Sequence, residues 1–230
     1  MARKLVLFDI DETLIYSDGA GRRAIGNALM NMFGVKTESI KVSMSGKTDQ
    51  QILCEIMEAG GLSREHYEER IEEWFECYLN ILKEEIVKAD PYKIHEGVFE
   101  LLNELEQHPD VSLGLLTGNI EKGARLKLEK FDLNKYFPIG AYGSDAFDRL
   151  DLPHIARQRA EAYYKQEFLP TQIVIIGDSI HDVRCAQNYG AVSIAVSTGK
   201  THRSELEALS PTFLFPSLKE VDRVLDAIMN

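Results

Sequence analysis

The sequence predicts an α/β fold: a doubly wound parallel sheet, with an all-helical block inserted after the first strand. Two observations predict the sheet. Short apolar runs recur at residues 5–8, 111–116, 139–142, 173–176 and 192–196. Runs without alternation suit central strands buried on both faces. Helical patterns lie between them over residues 96–230, and such alternation indicates parallel crossovers. A third observation predicts the block. From about Ile15 to Asp90 there is no convincing strand, only helical stripes. The expected division is therefore residues 1–15 and 90–230 for the α/β core and 16–89 for the helical insert.

Each element follows from local pattern. The first strand ends where Asp9 breaks the apolar run. Ala24, Ile25, Ala28, Leu29, Met32 and Phe33 share a helical face that stops at Gly34. Ile52, Leu53, Ile56 and Met57 form another, stopped by Gly60 and Gly61. Ile71, Trp74, Phe75, Tyr78, Leu79, Leu82 and Ile86 form a long third, with Ser63 as its N-cap. The Trp74–Phe75 stripe reads as the insert's own core, not as a cofactor box. The connectors are residues 15–21 and 89–95, the second holding Pro91. Val98, Leu101, Leu102 and Leu105 line a helix that ends before Pro109. Ala124, Leu126, Leu128 and Phe131 line the next. Pro153 suits the first turn of a helix running to about Phe168. Residues 183–189 form a short helix closed by Gly190, and Val221, Val224, Leu225 and Ile228 form a final amphipathic one.

Composition narrows the function classes. With 44% hydrophobic and 27% charged residues over 230 positions, the chain has a globular balance and not a disordered one. Its formal charge of −11 disfavours nucleic acid and anionic membranes as partners, since both require a basic surface. Residues 63–90 carry nine acidic and four basic side chains, which reads as the solvated outer face of a helix. Three cysteines, Cys54, Cys77 and Cys185, are far apart without CxxC spacing. That is neither a disulfide framework nor a zinc site, and it suits a reducing compartment. The first apolar run is too short for a signal or a membrane span. A cytoplasmic monomer or homodimer is expected.

Three stretches carry the chemistry. Asp9 and Asp11 follow the first strand at i and i+2. In an open α/β sheet that edge is where ligands bind. If extended geometry continues, the two carboxylates can converge on one point, and their repulsion then calls for a cation or a proton. The alternative is a solvated strand-to-loop turn. Gly177-Asp178-Ser179-Ile180-His181-Asp182 follows another buried run. Asp178 and Asp182 could face the first pair, or Asp178 could cap the following helix. Thr117-Gly118-Asn119 ends a third strand. Its hydroxyl and backbone N–H groups suit an anion, or Asn119 is a plain helix cap. Collected on one edge, the carboxylates, without Cys or His partners, select a hard cation, Mg²⁺ first. His181 reads as loop or helix surface.

Asp9-Ile10-Asp11-Glu12-Thr13, Thr117-Gly118-Asn119 and Gly177-Asp178-Ser179-Ile180-His181-Asp182 resemble motifs I, II and IV of the haloacid dehalogenase superfamily. The resemblance covers essentially the whole chain, and the insert resembles a C1 helical cap on a Rossmann-like core. Ala20-Gly21-Arg22-Arg23-Ala24 and Ser45-Gly46-Lys47-Thr48-Asp49 resemble phosphoglycolate phosphatase-type members. The resemblance implies an Mg²⁺-dependent phosphatase acting on a small phosphorylated metabolite. Asp9 is then the nucleophile, forming an aspartyl-phosphate, and Asp11 the acid and base. Mg²⁺ is held by Asp9, the backbone carbonyl of Asp11, and Asp178, with Asp182 orienting a water or a neighbour. Thr117, Gly118 and Asn119 hold the phosphoryl oxygens.

Two positions depart from the family pattern. The residue after the second aspartate is usually Gly and here is Glu12, with its side chain expected to point away. The usual motif III Lys is missing from residues 148–153, and Arg149 is its substitute, with Arg157 or Arg159 the alternatives. Lys47 is the candidate substrate contact from the cap, unless it is solvated surface; Arg22 and Arg23 are lesser candidates. A phosphosugar mutase resembling β-phosphoglucomutase uses the same nucleophile. A catalytically silent binding protein draws support only from the missing Lys. A dehalogenase is disfavoured, because dehalogenases of this superfamily lack the second aspartate.

Overall fold

The computed structural model describes residues 3–37, 40 and 42–230. Positions 1, 2, 38, 39 and 41 of the expected core and insert lie outside the described residues. Among the described residues the main sheet has six strands: β1 (Lys4–Phe8), β4 (Val111–Leu116), β5 (Gly140–Ala141), β6 (Ile173–Gly177), β7 (Val192–Val196) and β8 (Phe213–Phe215). Their order is β5-β4-β1-β6-β7-β8, and every pairing is parallel. The chain builds outward from β1 to one edge and then returns to build toward the other. Loops leaving the carboxyl ends of β1, β4 and β6 therefore meet at a topological switch point.

The non-alternating runs are explained by burial on both faces. Val6, Phe8, Leu115 and Ile176 pack with α4 (Val98–Gln107), α5 (Glu121–Glu129) and α9 (Val221–Met229). Leu5, Leu7, Ile173 and Ile175 pack on the opposite face with α6 (Leu152–Tyr164) and α7 (Ile180–Tyr189). Each such fully buried aliphatic side chain contributes about 1.5–3 kcal/mol. A short helix α8 (Arg203–Ala208) leads into β8. Neither α8 nor β8 was expected, since six and three residues are too short to show a period.

The insert holds α1 (Ala20–Phe33), α2 (Asp49–Ala59) and α3 (Ile71–Lys88). Trp74, Tyr78, Leu79 and Leu82 of α3 are buried, and Trp74 stacks on Tyr78 with ring centroids 5.5 Å apart. The acidic residues of 63–90 are exposed, as expected, apart from Glu85, which is buried against Arg23 Nε at 2.6 Å. Two expectations need correction. A strand does occur at Ile15: β2 (Ile15–Tyr16) pairs antiparallel with β3 (Lys93–Ile94), tying the two connectors together. Two residues with neighbours 77 and 79 positions away carry no local strand signal. Ser63 does not cap α3; short 3₁₀ turns intervene and the helix starts at Ile71, after Arg70. Likewise α6 ends at Tyr164, where Lys165 takes the left-handed conformation at φ 55°.

Candidate active site

Asp9 continues β1 beyond its last residue, with its N–H donating to Ile176 O at 2.9 Å. Its buried carboxylate meets those of Asp178 and Asp182. One oxygen from each lies within 4.8 Å of the others, the tightest acidic group among the described residues. Ser179 caps α7, with its hydroxyl accepting from Asp182 N–H at 3.3 Å. That leaves Asp178 free of the capping role, and it accepts a hydrogen bond from Thr13 Oγ1 at 3.4 Å. Asp182 accepts from Ser179 N–H at 3.0 Å and from its hydroxyl at 2.6 Å. Gly177 and Gly199 let the backbone approach this group, since a Cβ there would collide with Asp182 and Asp178 respectively.

Arg149 sits in a 3₁₀ turn (Arg149–Asp151) before α6 and is buried. Its Nη2 donates to Asp9 Oδ1 at 3.0 Å and Asp182 Oδ1 at 2.5 Å, and its Nη1 to Gly46 O at 3.2 Å. Arg149 therefore stands where the missing Lys was expected. Arg157 and Arg159 are turned to Glu161 and Asp145 instead. Burial pushes the Asp9 carboxyl up to about 7, against the opposing Arg149 charge. Burial, with Asp182, Asp9 and Glu12 close by, pushes the Asp178 carboxyl well above the usual carboxylate range. One guanidinium does not neutralise three buried carboxylates. The donor set is all oxygen, buried and electron-rich, which fits a hard divalent cation.

Asp11 departs from the convergence expected of the i, i+2 spacing. Its side chain lies outside the group of three. Asp11 Oδ2 accepts from Lys127 Nζ at 2.6 Å and Asn119 Nδ2 at 2.8 Å, and Oδ1 from Ser17 Oγ at 3.3 Å. Burial raises its pKa, but the Lys127 ammonium and these hydrogen bonds outweigh it, and the net shift is downward. Any metal contact of Asp11 falls to its backbone carbonyl. Glu12 adopts φ 63°, the conformation that makes glycine the easier residue here. Instead of pointing away, it is partly buried, lies 3.9 Å from His95 and lines the cavity.

Thr117 is buried, its hydroxyl accepting from Asn119 Nδ2 at 2.8 Å. Gly118 packs so closely under the insert that a Cβ would collide with Lys47 O. Its carbonyl accepts from Asp49 N–H at 2.7 Å, while Asp49 Oδ2 accepts from Ile120 N–H at 2.9 Å. Lys47 borders the cavity but pairs with Glu55. Arg22 also borders it, whereas Arg23 is turned to Glu85 and Asp18. His181 is partly buried and offers no ligand to the acidic group. The cavity, about 250 Å³, is lined by Asp9, Asp11, Arg149 and Lys127 among others. Lys127 and Asp49 escaped sequence reasoning. Lys127 left one trace: it falls on the stripe of Ala124 and Leu128, a buried face where Lys is out of place.

Comparison with known proteins places this geometry. A family profile described as haloacid dehalogenase-like hydrolase matches residues 6–196. The phosphoglycolate phosphatase of Vibrio parahaemolyticus is 28% identical over 132 residues, 57% of this chain and 56% of that protein. The chain thus matches little more than half the length of that relative. The pyrophosphatase PpaX of Bacillus mycoides is 24% identical over 69% of this chain and 71% of its own. The crystal structure of a predicted phosphatase from Clostridium acetobutylicum superposes with a TM-score of 0.74 at 20% identity, covering 98% of this chain and 100% of that one. That likeness shows the fold alone. The profile match, by contrast, runs from β1 through β7 and spans every acidic residue of the site. The chain belongs to the haloacid dehalogenase-like hydrolase family.

Proposed function

We propose that this protein is a phosphatase that hydrolyses a small phosphomonoester through an aspartyl-phosphate on Asp9, with Mg²⁺ as its metal. The observation that carries this reading is Asp9 itself: a buried carboxylate at the switch point, held between Arg149 and two further aspartates. Asp9 and Asp178 would hold the Mg²⁺ with the Asp11 carbonyl, and Asp182 would hold Arg149. Bound there, the ion would keep Asp9 ionised and draw charge from the phosphoryl oxygens.

The chain's own residues then divide the work. An Asp9 oxygen attacks phosphorus, and the bond to the ester oxygen breaks. Asp11, on the other side of the cavity and ionised in the free site, takes the proton of the monoanionic ester and passes it to that leaving oxygen. Asp11 next takes a proton from the water that attacks the phosphoryl group, and Asp9 departs as carboxylate. Arg149 and the Thr117 hydroxyl would hold the phosphoryl oxygens. The insert acts as a cap, with Lys47 and Arg22 at the substrate's outer end. Arg149 beside Asp9 weighs against a catalytically silent protein, whose one support was the missing Lys.

Phosphoglycolate is the first candidate substrate and pyrophosphate the second, after the curated relatives. The test is release of inorganic phosphate from p-nitrophenyl phosphate, phosphoglycolate and pyrophosphate with Mg²⁺. Activity should vanish with EDTA and fall at least ~10³-fold in Asp9→Asn. Full activity in that variant would overturn the reading. Formation of a sugar bisphosphate in place of phosphate release would assign the mutase reaction.

A further inference from the structure

We propose that Lys127 is a positioning residue for the acid–base carboxylate, acting through Asp11 and not on the substrate; this rests on the phosphatase reading above. Lys127 lies in the last turn of α5 with its side chain only 4% exposed. A desolvated ammonium is costly unless its donors are met. Here two are met: Nζ is 2.6 Å from Asp11 Oδ2 and 2.6 Å from Asn119 Oδ1. Asn119 closes the circuit, because its Nδ2 donates both to the same Asp11 oxygen and to Thr117 Oγ1. One Asp11 oxygen is thus clamped by two donors. The other, Oδ1, meets only the longer contact from Ser17 at 3.3 Å, and is the oxygen left for proton transfer.

The surroundings hold the ammonium in that place. Tyr92 Oη donates to the Lys127 carbonyl at 2.7 Å and anchors the helix there. On the insert side, α1 presents Gly21, where a Cβ would come within 2.9 Å of Lys127 Nζ. Gly21 is the second residue of α1, and the space left by its missing side chain is the space the ammonium occupies. Core and insert therefore both shape one contact, the one that aims Asp11. Arg149 serves the nucleophile and Lys127 the acid–base residue, a cation on each side of the cavity.

The test is a double-mutant cycle on phosphate release from an alkyl phosphate with Mg²⁺. Asp11→Asn, Lys127→Met and the double variant are compared with the parent protein. Lys127→Met should lower kcat by about 10²-fold, within the range for acid–base catalysis, with KM changed less than about threefold. In the Asp11→Asn background the same change should cost less than about threefold, because the residue it serves is gone. Equal losses in both backgrounds, or a raised KM at unchanged kcat, would overturn the proposal. Should Lys127→Met fail to fold, Gly21→Ala decides. Its added methyl displaces only the flexible ammonium, and alanine favours the helix, so a severalfold fall in kcat without loss of Tm is expected. Unchanged kcat in Gly21→Ala would then overturn the assignment. Wild-type activity in Asp11→Asn would instead refute the acid–base reading of Asp11.

Discussion

Arg149 bridges Asp9 and Asp182, and all three are buried. Removing one partner of a buried ion cluster leaves uncompensated charge and costs about 3–5 kcal/mol. Arg149→Met should therefore lower Tm by roughly 10 °C, at about 2–4 °C per kcal/mol for a chain of this size. Mg²⁺ should restore more of that loss in the variant than it adds to the parent protein, because the ion can stand in for the missing charge. Thermal unfolding with and without Mg²⁺ reads both effects, and a shift under 2 °C would contradict them. Arg149→Lys should keep more stability yet lose activity. An ammonium offers a point charge where Nη1 and Nη2 now serve Gly46 on the insert and two carboxylates on the core.

The loop between β4 and α5 and the N-terminus of α2 form a single contact. Asp49 N–H donates to Gly118 O, Ile120 N–H donates to Asp49 Oδ2, and Thr48 Oγ1 donates to Phe147 O at 2.7 Å. Thr48 also caps α2, accepting from Gln51 N–H at 3.1 Å. The contact requires a residue without a side chain at 118. Gly118→Ala would drive its Cβ into the Lys47 carbonyl, and overpacking of this kind costs about 1–3 kcal/mol. The expected outcome is displacement of the α2 loop from the core. KM for a small phosphate ester should rise about tenfold with a smaller change in kcat, and Tm should move by only a few degrees. An unchanged KM would show that the loop does not border the bound substrate.

For the molecule as a whole, charge and metal should be linked. Asp9 is raised by burial to about 7 in the metal-free protein, from about 4 in the unfolded chain. The folded state then holds the proton more tightly, so metal-free stability falls as pH rises from about 4 to about 7. A cation favours the ionised form and competes with that proton. The Tm increase produced by Mg²⁺ should be largest above pH 7 and shrink as pH falls toward 5. Unfolding scans across that range with and without the metal measure it, and a gain independent of pH would contradict the acidic group as the binding site. The same arrangement would let a chain of net charge −11 receive an anion. Acidic residues of 63–90 spread over the outer surface of the insert, while Arg149, Lys127, Lys47 and Arg22 line the cavity.

Apolar runs, glycine stops and the three motifs were legible in the sequence because each is a local signal. A strand buried on both faces must be apolar throughout, and a carboxylate just past its end is visible in the same few residues. These determined the sheet and the insert, and marked Asp9, Asp178 and Thr117, which the fold brings to the same sheet edge. Contacts between distant segments were not legible. The pairing of β2 with β3, the turn of Asp11 toward Lys127, and the packing of Gly118 under Lys47 join residues 71–116 positions apart. Spacing placed two carboxylates together; the tertiary structure separated them, because a buried ammonium on α5 draws one and Arg149 draws the other. Local periodicity records which face of an element is buried, and only the folded chain decides what each buried charge meets there.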